Sequence, residues 1–209
     1  MKAYLWKPLK NYRNKWIGVY NRELSPDRLI FFGGNFVDEK LSTPIIDFIC
    51  PKERIEKFGS VCTDTSSPIV RDDVLDICAD LFKDQIQTFD VELHTQNGIL
   101  NNYKLINILN LVEGVNLEES ICEYFTDKKT IRGYKYLVLK ENCLENLNIA
   151  RLKETLSHIL VSEKVKERFE KYKIKGARFI EPEEYYGEIY YLEKVFAGVG
   201  RVWKGKEEK

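Results

Sequence analysis

The stretch from Val74 to Leu109 constrains the fold more than any other, because its apolar positions change period twice within a short distance. Val74, Ile77, Cys78, Leu81 and Phe82 recur at steps of three and four, which predicts one face of an amphipathic helix capped by Asp72 or Asp73. Phe89, Val91 and Leu93 then alternate with Asp90 and Glu92, the period of a strand with one dry face. Asn97-Gly98 reads as a turn. Tyr103 to Leu109 is apolar at odd and even positions alike, which predicts a strand buried on both faces in the middle of a sheet.

The flanking segments extend the same grammar. Tyr4–Trp6 and Trp16–Tyr20 have strand composition, Ser25-Pro26-Asp27 reads as a turn cap, and Gly33-Gly34 breaks the chain. A short helix is expected between Pro51 and Gly59. Ile69-Val70 precedes the Val74–Phe82 helix as a strand. Asn116-Leu117-Glu118-Glu119 has capping-box spacing and predicts a short helix through Cys122 or Tyr124. Tyr134–Leu139 and His158–Val161 are further strands; Ser162 caps a helix presenting Val165, Phe169 and Tyr172 and ended by Gly176, before a strand at Ala177–Ile180. Ile69–Val91 and Ile159–Ile180 therefore share one plan, strand, cap, helix, strand, which reads as a weak internal repeat or as common α/β grammar. The expected class is α+β, a mixed, largely antiparallel sheet with packed amphipathic helices. Residues 1–64 are expected as a strand and turn region packed on a main domain of residues 65–209, the whole forming one compact unit.

Charge and motifs narrow the function by exclusion. Thirty-three Lys and Arg balance thirty-three Asp and Glu, so no global positive field draws the chain to nucleic acid. Uncharged runs such as Leu105–Val112 fall far short of the roughly 20 residues that span a bilayer, and Lys2, Lys7 and Pro8 interrupt any signal-peptide core. A cytoplasmic protein with no membrane partner is expected. Cys50, Cys62, Cys78, Cys122 and Cys143 have no C-x-x-C spacing and read as small hydrophobes in a reducing compartment. Gly200–Lys206 resembles a phosphate-binding loop, but Glu207 stands where a magnesium-holding hydroxyl is required. His94 and His158 have no metal spacing, and no G-x-S-x-G elbow is present. No catalytic residue, metal ligand or cofactor site is assigned.

Two acidic features point to a protein partner. Asp72, Asp76, Asp80 and Asp84 stand at successive four-residue steps, a stripe that like-charge repulsion makes costly and helix propensity does not explain. The segment Glu181–Glu193 carries no base and holds Glu183, Glu184, Tyr185, Tyr186, Glu188 and Tyr190, aromatic anchors among carboxylates that steer a basic partner. Each also reads as an ordinary solvated or packing face.

The linear order of the middle and C-terminal segments resembles a known family. Tyr103-Lys104-Leu105-Ile106-Asn107-Ile108-Leu109-Asn110-Leu111-Val112-Glu113-Gly114-Val115-Asn116-Leu117-Glu118-Glu119-Ser120 is similar to a stretch of the bacterial polymorphic-toxin immunity proteins of family eleven. Leu137-Val138-Leu139, Asn148-Ile149-Ala150-Arg151-Leu152, Ile159-Leu160-Val161-Ser162-Glu163 and Lys175-Gly176-Ala177-Arg178-Phe179 follow in that family's order, over roughly residues 65 to 182. Asn116, Glu113 and Ala150 depart from its usual residues. The resemblance implies a small cytoplasmic protein that binds and blocks a cognate toxin encoded by the adjacent gene, by stoichiometric binding and without turnover. The alternatives are an enzyme, such as a nucleotide hydrolase or transferase with a site gathered from distant segments, and a scaffold protein.

Overall fold

The computed structural model describes residues 2–9 and 12–185, and its central element is the strand that reads as apolar on both sides. This strand, β7 (Gly98–Ile108), follows β6 (Ile86–Thr95) through a tight turn at Gln96-Asn97, one residue earlier than expected, and pairs on its other side with β5 (Ile69–Arg71). With β2 (Val19–Tyr20), β3 (Ile45–Asp47) and β4 (Ser60–Val61) they form a six-stranded sheet in the order β2-β3-β6-β7-β5-β4. A five-stranded sheet has the order β13-β1-β12-β11-β8, built from β1 (Ala3–Pro8), β8 (Leu111–Val112), β11 (Ile149–Leu152), β12 (Ile159–Ser162) and β13 (Ala177–Ile180). A separate ribbon pairs β9 (Ile121–Tyr124) with β10 (Ile131–Tyr136). Among the described strands only β3–β6 and β8–β11 pair in parallel, so the expected mixed, mainly antiparallel character is met, in two sheets and a ribbon. The helices α1 (Lys52–Ile55), α2 (Asp72–Ile77), α3 (Ala79–Phe82) and α4 (Glu163–Lys171) are few and short, and sheet dominates.

Period-two alternation sorts side chains into three large apolar clusters, beside a small one at Tyr12, Ile17 and Cys62. Val70, Ile106, Tyr4, Trp6, Ile159 and Val161 point from both sheets into one core that also takes Val74, Cys78, Leu81 and Phe82 of the first helical segment and Val165 and Phe169 of α4. The opposite face of the six-stranded sheet buries Ile69, Leu93, Tyr103 and Leu105 against Tyr20, Phe31 and Ile46. The opposite face of the five-stranded sheet buries Ala3, Leu5, Ala150 and Leu160 against Tyr134, Leu137 and Leu144. β11 and β12 are buried along their whole length, and β7 from Tyr103 to Ile108 is buried on both faces apart from half-buried Lys104, which is why these stretches are largely apolar.

The two strand–helix–strand segments share more than grammar. In the first, β5 and β6 are linked through α2 and α3 and flank antiparallel β7; in the second, β12 and β13 are linked through α4 and flank antiparallel β1. The register matches without insertion: Val70 corresponds to Val161, Val74 to Val165, Cys78 to Phe169 and Ile86 to Ala177. The inserted strand follows its unit in the first case and comes from the chain's N-terminus in the second. Strands from residues 1–64 are thus built into both sheets.

Three local expectations are corrected. The helix from Asp72 breaks at Cys78, whose backbone (φ −105°, ψ 8°) leaves the helical region. Asp76 places negative charge at the C-terminal end of α2, where the helix dipole disfavours it, and its last turn has no base. Asn116 does make capping bonds, its Oδ1 accepting from the Glu118 amide (3.2 Å) and its Nδ2 donating to Glu119 (2.9 Å). One turn forms there, but Ile121-Cys122-Glu123-Tyr124 has strand composition and pairs with β10, so no helix follows. Tyr172 lies beyond α4 and is half exposed rather than core. Gly176 (φ +110°) is required where it stands, because an added Cβ would sit 1.7 Å from the Ser60 carbonyl oxygen; this close approach joins the α4–β13 turn to β4.

Candidate functional site

The aspartate stripe does not survive as a line, because the break at Cys78 rotates α3 relative to α2. Asp72, Asp76 and Asp84 line one groove of about 480 Å³ together with Lys83 and Lys104. Asp80 does not line this groove; the Arg168 guanidinium of α4 grips it through two bonds (2.7 and 3.0 Å) and holds its carboxyl below the usual range. Within the groove Lys104 is bound by Asp90 and lies 4.0 Å from Asp72. Asp72 Oδ1 is buried without a hydrogen-bond partner. Asp76 and Asp84 are exposed, and Asp84 adopts a left-handed backbone (φ 58°) as the chain turns toward β6.

Glu183 and Glu184 are exposed on a 3-10 turn after β13. Tyr185 is buried, with its ring 4.4 Å from the Lys7 ammonium and edge-on to His158 at 5.0 Å, so it packs inward. Tyr186, Glu188 and Tyr190 lie outside the described residues, as does the Gly200–Lys206 loop.

A second concavity, which the sequence does not single out, lies where β4 and the loop after it approach β1 and β12. It encloses about 510 Å³ and is lined by hydroxyls from Thr63, Thr65, Ser66, Ser67 and Ser157, by apolar Trp6, Pro68 and Ile159, and by His158. Lys7 and Arg132 are its charged lining residues, and no carboxylate lines it among the described residues. Behind the loop lies Arg151, fully buried. Its Nη1 donates to the carbonyls of Ser66 (2.8 Å) and Leu156 (2.7 Å), and its Nη2 donates to Ser67 Oγ (3.0 Å). Burial alone pulls this guanidinium down to about 10. A sequence signal existed, since Arg151 interrupts an otherwise apolar strand, but nothing in the sequence links it to the Thr63–Ser67 run.

The histidines separate. His94 bonds Glu92 through Nε2 (2.8 Å) and stands 3.9 Å from Asp47, at the end of β6. His158 is buried between the edges of Tyr134 and Tyr185, and burial together with the nearby Lys7 charge holds it well below the ordinary imidazole range. Cys62 lines the same cleft, yet burial pushes its thiol up to about 12, so it is protonated. Among the described residues no carboxylate lines the cleft beside the imidazole, whose Nδ1 lies 3.3 Å from Ser157 Oγ. All five cysteines are free thiols; Cys50, Cys62 and Cys78 are buried, and burial raises the pKa of each of the five. Among the described residues, no cluster of three or more His, Cys, Asp or Glu could hold a metal, and no helix is long and apolar enough to cross a membrane.

No curated protein matches the chain. A model of the Immunity protein family (Imm11) matches residues 77–184. That span carries the break after α2, β6 and β7, the ribbon, Arg151, His158 and the Glu183-Glu184 turn, over just more than half of the sequence, and the chain therefore belongs to the Immunity protein family (Imm11).

Proposed function

We propose that this immunity-family protein neutralises a cognate toxin, encoded by the adjacent gene of a polymorphic toxin system, by direct stoichiometric binding in the cytoplasm of the bacterial cell that makes it. Asp72, Asp76 and Asp84 take part in capture. The observation that carries this reading is their convergence on one groove, at which Asp76 and Asp84 are exposed. A Lys or Arg of the toxin entering there forms charge-assisted bonds with the exposed carboxylates of Asp76 and Asp84. Asp80 contributes little to the field, since Arg168 neutralises it. Glu183 and Glu184 form a second acidic point.

The test is co-expression with the neighbouring gene's product, then binding kinetics on the purified pair. Protection from toxicity and a 1:1 complex are expected. Reversing Asp76 and Asp84 to Lys should slow association by about tenfold at low salt, with less effect at high salt and little change in stability, because exposed carboxylates contribute little to the fold. Failure of the pair to associate would overturn direct binding. Unaltered on-rates in this variant, with Glu183 and Glu184 reversal slowing association instead, would move the contact to the second acidic point.

A further inference from the structure

We propose that the cleft between β4 and β12 binds a small organic anion, a phosphate or carboxylate carried on an apolar or aromatic body, whose charge answers the buried guanidinium of Arg151. This inference stands apart from toxin capture, which uses another surface.

The argument begins with the missing counter-charge. Arg151 is completely buried, its acceptors are neutral carbonyl and hydroxyl oxygens, and its Nε has no partner. Taking a cation out of water without an opposing charge is costly, and buried charges are ordinarily paired. The wall in front of this cation is the Ser66-Ser67 segment, which also lines the cleft. Because the Ser66 carbonyl accepts from Arg151 and every described peptide bond is trans, the Ser67 N–H points away from the guanidinium.

The rest of the wall is set before any ligand arrives. Thr65 Oγ1 donates to the Ser67 carbonyl (2.9 Å), so the Thr63 hydroxyl is left to donate to Thr65 Oγ1 (2.8 Å). On the opposite side His158 is clamped edge-on by Tyr134 and Tyr185, and its Nε2 is buried with no hydrogen-bond partner. A buried polar atom without a partner, in the lining of a cavity, calls for a ligand atom or an ordered water. Among the described residues no carboxylate lines the cleft to repel an anion, and Trp6, Pro68 and Ile159 supply apolar surface for its body. A volume of about 510 Å³ lies in the range of small-molecule sites.

The probe is phenyl phosphate, titrated calorimetrically into the full chain beside phenol and inorganic phosphate. One saturable site is expected, with phenol and inorganic phosphate each weaker by about thirtyfold or more. Ser157→Trp, on the exposed rim, should weaken phenyl phosphate by roughly tenfold or more with an unchanged unfolding midpoint. Arg151→Met should abolish the preference for phenyl phosphate over phenol; if that variant does not fold, His158→Phe serves in its place and should weaken phenyl phosphate more than phenol. No saturable binding of phenyl phosphate, equal affinity for phenol, or full binding by Ser157→Trp would overturn the proposal.

Discussion

Arg151 and His158 are both buried, His158 in the lining of the cleft and Arg151 behind its Ser66-Ser67 wall. His158 carries a pH prediction. Burial and the Lys7 charge depress its folded pKa well below 6.5, whereas in the unfolded chain it titrates near that ordinary value. Below about pH 6.5 the unfolded state takes up a proton that the folded state refuses, so stability is complete above this pH and is lost as pH falls. The loss should approach about 1.4 kcal/mol per pH unit until the folded pKa is reached. Asp73, Asp80 and Glu113, whose pKa values are lowered chiefly by hydrogen bonds from Arg71, Arg168 and Lys153, lose their contribution only as pH falls through the ordinary carboxylate range. Chemical denaturation between pH 7 and 5 should therefore show a slope in the parent chain that is smaller in His158→Gln. Equal slopes would show that the imidazole is not buried in its neutral form. Of these residues, the sequence marks His158 only as the start of an apolar run, and its depressed pKa follows from Tyr134, Tyr185 and Lys7, which arrive from three distant segments.

At the scale of elements, α2 and α3 show what periodicity carries and what it misses. Val74, Cys78, Leu81 and Phe82 are buried as the three- and four-residue spacing requires, with Ile77 partly buried beside them, although the helix is broken. Leu81→Ala should cost about 2 to 5 kcal/mol, because both sheets and α4 meet in that core and cannot collapse into the space. Tyr172→Ser, one of the positions read as core yet half exposed, should stay within about 0.5 kcal/mol of the parent. Urea denaturation of both variants checks the pair, and a large loss in the second would restore Tyr172 to the core. The ribbon makes the converse point. Local capping chemistry at Asn116 was legible and is formed, but a partner strand at Ile131–Tyr136 decided what the next residues became.

Across the whole molecule, the two units, each with an inserted antiparallel strand, share a single core, and β1 completes the second of them from the far end of the chain. Terminal residues ordinarily fray, yet Leu5 is fully buried and β1 is flanked by β12 and β13. Deleting residues 2–8 should therefore abolish cooperative unfolding, measured by near-ultraviolet dichroism on heating, and a truncated chain with an unchanged transition would mean that β12 and β13 hold together without it. The sequence by itself determined the amphipathic segments, the doubly buried β7, the positions of most strands and the family, because each is written in the local spacing of apolar side chains or in their linear order. Only the tertiary structure decided that Asp80 leaves the stripe for Arg168, that Tyr185 packs inward, and that Arg151 lies behind Ser66 and Ser67. Those outcomes depend on a helix break, on crossover connections and on contacts between residues far apart in the chain, and local spacing holds no record of distances that only folding sets.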